Sequence, residues 1–249
     1  MAGHSKWANI KHRKGAADAK RAQQFTKIIR EITISAKIGG PDPESNPRLR
    51  LAIRNAKGVS MPKDNIERAI NKASGTDGED FQDVTYEGYA NGGVAIYIEG
   101  TTDNINRTVA NVRSYFSKNG GNLGTNGSLE FIFDQKGSFE LELPEGMDRD
   151  DLELEVIDAG AEELEESDGV LTVTCAREDF GSVSKKLDDL KIETKSAGLV
   201  RIPKVMKKVD AETALKVLKF IDIAEEDDDV QKVYHNMELT DEILKALDN

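Results

Sequence analysis

The chain has 249 residues, 38% hydrophobic and 32% charged, with a formal net charge of -12 and one cysteine; this length and apolar content support at least one good core and exceed one ordinary domain. No stretch approaches the ~20 consecutive apolar residues of a bilayer span, the start MAGHSKWANIKHRKG lacks the apolar centre of a secretory signal, and Cys175 has no second cysteine to pair with, which together point to a reducing cytoplasm and exclude membrane segments and internal disulfides. The charge is unevenly divided: residues 1–75 hold 16 Lys+Arg against 6 Asp+Glu, and residues 76–249 hold 18 against 40, as expected if a basic end meets a polyanion while the acidic bulk limits indiscriminate binding.

The N-terminal segment packs Lys6, Lys11, Arg13, Lys14, Lys20 and Arg21 around Trp7, the sole tryptophan, with His4 and His12 between them. Cations neutralise phosphates and an aromatic ring stacks on a base, so the mixture suits structured or single-stranded nucleic acid as well as duplex. Trp7 equally fits a plug in a small helical core. The first periodic segment, residues 18–37, sets Phe25, Ile28, Ile29, Ile32 and Ala36 on one helical face, with Lys20, Lys27, Arg30 and Lys37 opposite as an exposed positive ridge. Gly39, Gly40 and Pro41 end it. A second helix opens with Asn46 as cap and Pro47 in the first turn, turns Leu49, Ala52, Ile53 and Ala56 inward, and carries Arg50, Arg54 and Lys57 along one flank. A third starts near Pro62, buries Ile66, Ala69, Ile70 and Ala73, and stops at Gly75.

A polar, acidic stretch at residues 76–83 marks a domain boundary. Beyond it GGVAIYIEG reads as a strand, Asp103 as the cap of a helix carrying Val109, Val112 and Phe116, and SLEFIFD as an alternating strand. Then come a strand at residues 139–143, a helix at 149–159, two strands around the Asp168-Gly169 turn, a helix at 180–190 and a strand at 192–202. That β-α-β-β-α-β order is the ferredoxin-like one. A helix at 211–223, a strand at 230–235 and a helix at 241–247 close the chain, and this α-β tail would complete the unfinished β-α-β unit. The expected architecture is a multidomain α+β protein: a three-helix bundle (residues 1–78), then a discontinuous α+β domain (79–135 plus 204–249) into which a ferredoxin-like domain (136–203) is inserted.

Catalytic motifs are missing. No Ser-centred elbow, P-loop or zinc spacing occurs, and His4, His12 and His235 have neither the spacing nor the cysteines of a metal site, so no enzyme, metal or cofactor is expected. The loop NGGNLGTNGS either offers backbone N–H groups to a phosphate or simply supplies left-handed turns, and the second reading is the simpler. The acidic run at residues 225–229 reads as a solvated turn, with a cation or basic partner as the alternative.

From MAGHSKWANIKHRKG through NPRLRLAIRNAKGVSMPKDNIERAINKASG, YEGYANGGVAIYIEG, NRTVANVRSYFSKNGGNLGTNGS and DDDVQKVYHNME, the sequence resembles the YebC/PmpR family over nearly its whole length. The resemblance implies an N-terminal helical bundle and two α+β domains, one inserted in the other. It also implies a DNA-binding transcriptional regulator, while related proteins act on translation at the ribosome, including a mitochondrial translational activator. Positions matching family motifs that would contact nucleic acid are His4, Lys6, Trp7, Lys11, His12, Arg13, Lys14, Lys20 and Arg21, with Arg48 and Arg50. Ile105 departs from the pattern, since many members carry arginine there. The expected partner is DNA or ribosomal RNA, with the ribosome as the alternative setting and no small-molecule substrate; the oligomeric state is not legible.

Overall fold

A computed structural model describes residues 17–73, 81–167 and 169–247. The protein is a multidomain α+β chain, and its described residues form two four-stranded sheets. It divides into two compact units. One takes in Gln135–Arg201 and the described residues from Glu31 to 73; the other takes in Ala17–Arg30, the described part of Asp77–Asp134 and the residues from Ile202 on.

Helix α1 (Ala17–Gly39) contributes its first half to the second of these units and its second half to the first. Helices α2 (Pro47–Gly58) and α3 (Lys63–Ala73) follow. Asn46 caps α2 as expected: its Oδ1 accepts the Leu49 N–H at 3.1 Å and Pro47 occupies the first helical position, where no N–H is missed. The same amide has a second task that spacing does not reveal. Its Nδ2 donates to the carbonyls of Ser35 (2.7 Å) and Gly40 (2.8 Å), so one buried side chain closes the end of α1 and starts α2. Ile32, Ile34 and Ala36 of α1 are buried, as are Leu49, Ala52 and Ala56 of α2 and Ile66 and Ala69 of α3. Thr33 and Ser35 are buried too, so residues 32–36 of α1 are enclosed on all sides, while Ile38 at its end is 69% exposed.

The same unit holds β4 (Phe133–Leu141) from Gln135 on and the elements that follow it: α5 (Arg149–Asp158), β5 (Ala161–Ser167), β6 (Val170–Ala176), α6 (Phe180–Asp189) and β7 (Thr194–Pro203) as far as Arg201. The strand order is β5-β6-β4-β7. Alternation puts Phe139, Leu141, Leu171, Val173 and Cys175 on one face, where Leu152 and Val156 of α5 and Val183 and Leu187 of α6 cover them. Phe139 and Phe180 stack with centroids 4.7 Å apart. Burial, with Asp179 and Glu162 adding to it, pushes the Cys175 thiol up to about 11.

The second unit contains β1 (Gln82–Ala90), β2 (Val94–Thr102), α4 (Ile105–Lys118), β3 (Asn122–Leu123), α7 (Ala211–Glu225), β8 (Val230–His235) and α8 (Asp241–Leu247). Its sheet runs β3-β1-β2-β8, so the strand from the far end of the chain hydrogen-bonds antiparallel to β2. As a central strand β2 is buried on both faces, which is why VAIYI is a continuous apolar run. Phe116 of α4 and Phe220 of α7 meet over the sheet at 4.7 Å. Gly88 permits that approach: a Cβ there would lie 2.8 Å from the Phe116 ring and 2.5 Å from the Asn122 carbonyl oxygen.

Two local expectations are corrected. SLEFIFD is not a strand over its length, because residues 126–132 form turns and β4 begins only at Phe133. Buried Leu129, Ile132 and Phe133 follow turn spacing, not alternation, and Phe131 is left 68% exposed. Asp103 does not cap α4. Asn104 does, accepting the Arg107 N–H at 3.0 Å, while the Asp103 carboxylate is held by the Arg107 guanidinium at 2.7 Å.

Candidate nucleic-acid interface

His4, Lys6, Trp7, Lys11, His12, Arg13 and Lys14 lie outside the described residues, and so does the Lys20 side chain, although Lys20 belongs to α1. The remaining expected contacts fall into two groups. Arg21, Arg50 and Lys57 are exposed. Arg21 lies 5.4 Å from the Phe25 ring centroid, a cation–π contact along the helix. Among the described residues Arg50 donates to the carbonyls of Pro43 and Glu44, both at 3.2 Å, and those bonds do not neutralise its charge.

The second group is engaged within the molecule. Arg48 forms a two-pronged pair with Glu31 at 2.7 and 3.1 Å. Arg54 binds both Asp188 carboxylate oxygens, at 2.8 and 2.7 Å, and Ser184 Oγ at 2.9 Å. Lys27 donates to the Glu225 carbonyl at 2.9 Å, and Gln23 reaches the same oxygen at 2.6 Å. That carbonyl belongs to the last turn of α7, where backbone acceptors have no helical partner and the dipole favours a cation. Arg30 donates to Asp229 Oδ1 at 2.6 Å and lies 5.4 Å from the Phe81 ring centroid. The expected exposed ridge of α1 is therefore half-buried at Lys27 and Arg30, since a helix period reports only which residues share a face.

Asp229 is the centre that periodicity missed. It is 2% exposed. Its Oδ2 accepts from Arg107 Nη2 (2.7 Å), Thr108 Oγ1 (2.8 Å) and Thr102 Oγ1 (3.1 Å), while Oδ1 takes Arg30. Burial alone would push this carboxyl up, but the hydrogen bonds from Arg107, Arg30 and Thr108 outweigh it and hold the group below the ordinary carboxylate range. Asp227 accepts from Tyr115 Oη at 2.8 Å and Asn111 Nδ2 at 3.1 Å. Desolvation and that hydrogen bond raise the Tyr115 phenol well above its usual value. Asp227 and Asp229 of the acidic run thus form an internal junction and not a solvated turn, while Glu226 and Asp228 are its exposed members. A cleft of about 390 Å³ opens beside it, lined by both arginines, Phe81 and the acidic run. Among the described residues no group of three His, Cys, Asp or Glu side chains is placed to hold a metal ion.

The glycine loop also turns inward. Gly121 N–H bonds the Phe116 carbonyl at 2.8 Å, Gly124 N–H the Glu87 carbonyl at 2.7 Å, and Gly127 N–H the Glu87 carboxylate at 2.7 Å. Gly120 and Gly127 have positive φ, which matches the simpler reading of left-handed turns. His235 is buried, and its Nδ1 accepts the Met237 N–H at 3.2 Å. Ile105 stands exposed at the start of α4. No helix among the described residues is long and apolar enough to cross a membrane.

Two family models match the chain: the TACO1/YebC protein N-terminal domain over residues 5–76, and the TACO1/YebC second and third domain over residues 81–237. The chain belongs to the TACO1/YebC family. A relative from Amoebophilus asiaticus (strain 5a2), described as a probable transcriptional regulatory protein, is 57% identical over 239 residues, covering 95% of this chain and 98% of its own. Among solved structures, a conserved hypothetical protein from Aquifex aeolicus is similar with a TM-score of 0.86 and 43% identity, over 96% of this chain and 99% of that one. These TACO1/YebC similarities extend across both compact units.

Proposed function

We propose that this chain is a non-enzymatic, cytoplasmic regulator of gene expression that binds DNA through its basic N-terminal residues. The observation that carries the reading is the charge division, 16 Lys+Arg against 6 Asp+Glu in residues 1–75 of a chain whose net charge is -12. Within it Arg21, Arg50 and Lys57 stand exposed and available to phosphates. The Amoebophilus relative's description as a probable transcriptional regulatory protein supports the same class. We also read α1–α3 as a three-helix bundle and the β5-β6-β4-β7 sheet with its two helices as ferredoxin-like. Binding is electrostatic, with weak sequence preference, because no helix-turn-helix reading helix is evident. In a duplex titration log K falls against log salt with a slope of about -0.9 for each phosphate engaged. A flat salt response overturns the reading.

One feature favours RNA, and with it a translation factor at the ribosome. Phe131 is 68% exposed. An exposed aromatic ring stacks on an unpaired base, which a duplex does not offer. Crosslinking in cells, followed by sequencing of attached DNA and RNA, separates the two readings.

A further inference from the structure

Helix α5 is apolar on two sides. Leu152 and Val156 point into the core, as their complete burial shows, whereas Leu154 and Ile157 are 65% and 46% exposed. Leu143, in the connection from β4, is exposed as well. Between that connection and α5 lies a groove of about 510 Å³, floored by Pro144, Met147, Leu154 and Leu190 and rimmed by Glu145, Asp151 and Glu155. Its size is that of an ordinary ligand cleft.

The surrounding charge has one sign. Residues 143–158 contain seven acids and one cation, Arg149. Arg149 is drawn away, to Glu153 at 3.2 Å and to the Leu164 carbonyl at 3.2 Å. Lys186 neutralises Glu155 at 2.8 Å. Glu145 and Asp151 are exposed and have no cationic partner among the described residues. An acidic rim repels nucleic acid and anionic lipid, so the electrostatics exclude the polyanions that the N-terminal residues would attract. Exposed leucine and isoleucine three positions apart on a helix call for an apolar stripe, and the rim calls for cations beside it.

We propose that this groove is a docking site for a lysine- or arginine-rich amphipathic segment of a partner protein. The segment seats its apolar side chains between Leu143, Leu154 and Leu190 and sets its cations against Glu145 and Asp151. The groove stands independently of the nucleic-acid reading.

The test uses the full chain and a fluorescein-labelled 14-residue peptide, with leucines at helical three- and four-residue spacing and lysines elsewhere. A second peptide replaces each leucine with serine. The expected result is binding of the first peptide, weakened on the order of tenfold by Leu154→Ser with Ile157→Ser and by Glu145→Gln with Asp151→Asn. The exposed α7 substitution Leu215→Ser leaves binding unchanged. Equal binding of both peptides, or no effect of the Leu154 and Ile157 substitutions, overturns the proposal. It is also overturned if deleting residues 2–16 tightens peptide binding tenfold or more, because the chain's own basic segment would then be the occupant. Duplex DNA titrated in parallel reports on the nucleic-acid reading separately.

Discussion

Arg30 donates to Asp229 at 2.6 Å across 199 positions of sequence. This bond attaches the first half of α1 to the turn between α7 and β8, and Arg107 reaches the same carboxylate from the start of α4. Three separated segments therefore meet at one buried charge. Replacing Asp229 with alanine leaves two guanidinium groups and the hydroxyls of Thr102 and Thr108 without their acceptor. Arg107 is partly exposed and can be rehydrated, so we expect a loss of about 2–4 kcal/mol in urea unfolding. A change within about 0.5 kcal/mol would show that the junction contributes little.

The pH dependence has a definite sign. The folded-state carboxyl of Asp229 lies below its ordinary value, so its stabilisation is present above about pH 4 and is lost as pH falls through the lower folded value. Stability of the unaltered chain should fall more steeply below about pH 4 than that of Asp229→Asn. Parallel curves in acid titrations of the two proteins would remove this residue from the acid response.

Glu87 organises the loop that the alternating pattern mistook for a strand. Its buried carboxylate accepts the N–H groups of Gly127 (2.7 Å) and Leu129 (2.6 Å). Glutamine keeps only one acceptor oxygen and places an N–H group against these donors. Glu87→Gln should cost about 1–3 kcal/mol, with faster hydrogen exchange at residues 127 and 129 than elsewhere in the unit. Uniform acceleration would mean that Glu87 supports the sheet and not the loop.

Asn46 separates its two roles by substitution. Aspartate retains the acceptor for Leu49 N–H but loses the donor to Ser35 and Gly40; alanine loses both. The expected stability order is Asn above Asp above Ala, with alanine costing about 2–3 kcal/mol. Thermal melts that rank Asp with Ala would assign the whole effect to the donor.

The basic residues divide by partner. Arg50→Gln and Lys57→Gln should each reduce the salt slope of DNA binding by about one while leaving stability within about 0.5 kcal/mol. Arg54→Gln removes the paired bonds to Asp188, so it should lower stability by up to about 1 kcal/mol. An unchanged salt slope in both exposed variants would place the binding surface elsewhere.

Local chemistry was legible where it acts alone. The cap at Asn46 with Pro47, the strand at Val230–His235 and the helix at Asp241–Leu247 follow from short-range spacing and match the structure. Asp103 and Asn104 show the limit: both are good caps, and the choice fell to Asn104 because Arg107 holds the Asp103 carboxylate. SLEFIFD shows another, since its alternating pattern yields to a carboxylate 42 residues earlier at Glu87.

By itself the sequence determined the basic N-terminal region, the acidic remainder and most element positions, because charge and hydrophobic period are properties of neighbouring residues. Tertiary structure decided which cations remain exposed: Arg50 and Lys57 do, whereas Arg30 and Arg54 are held by Asp229 and Asp188. It also decided that Leu154 stays in solvent while Leu152, two residues away, is sealed in the core. Those outcomes depend on where distant acceptors and apolar faces arrive, and a linear pattern does not encode that arrival.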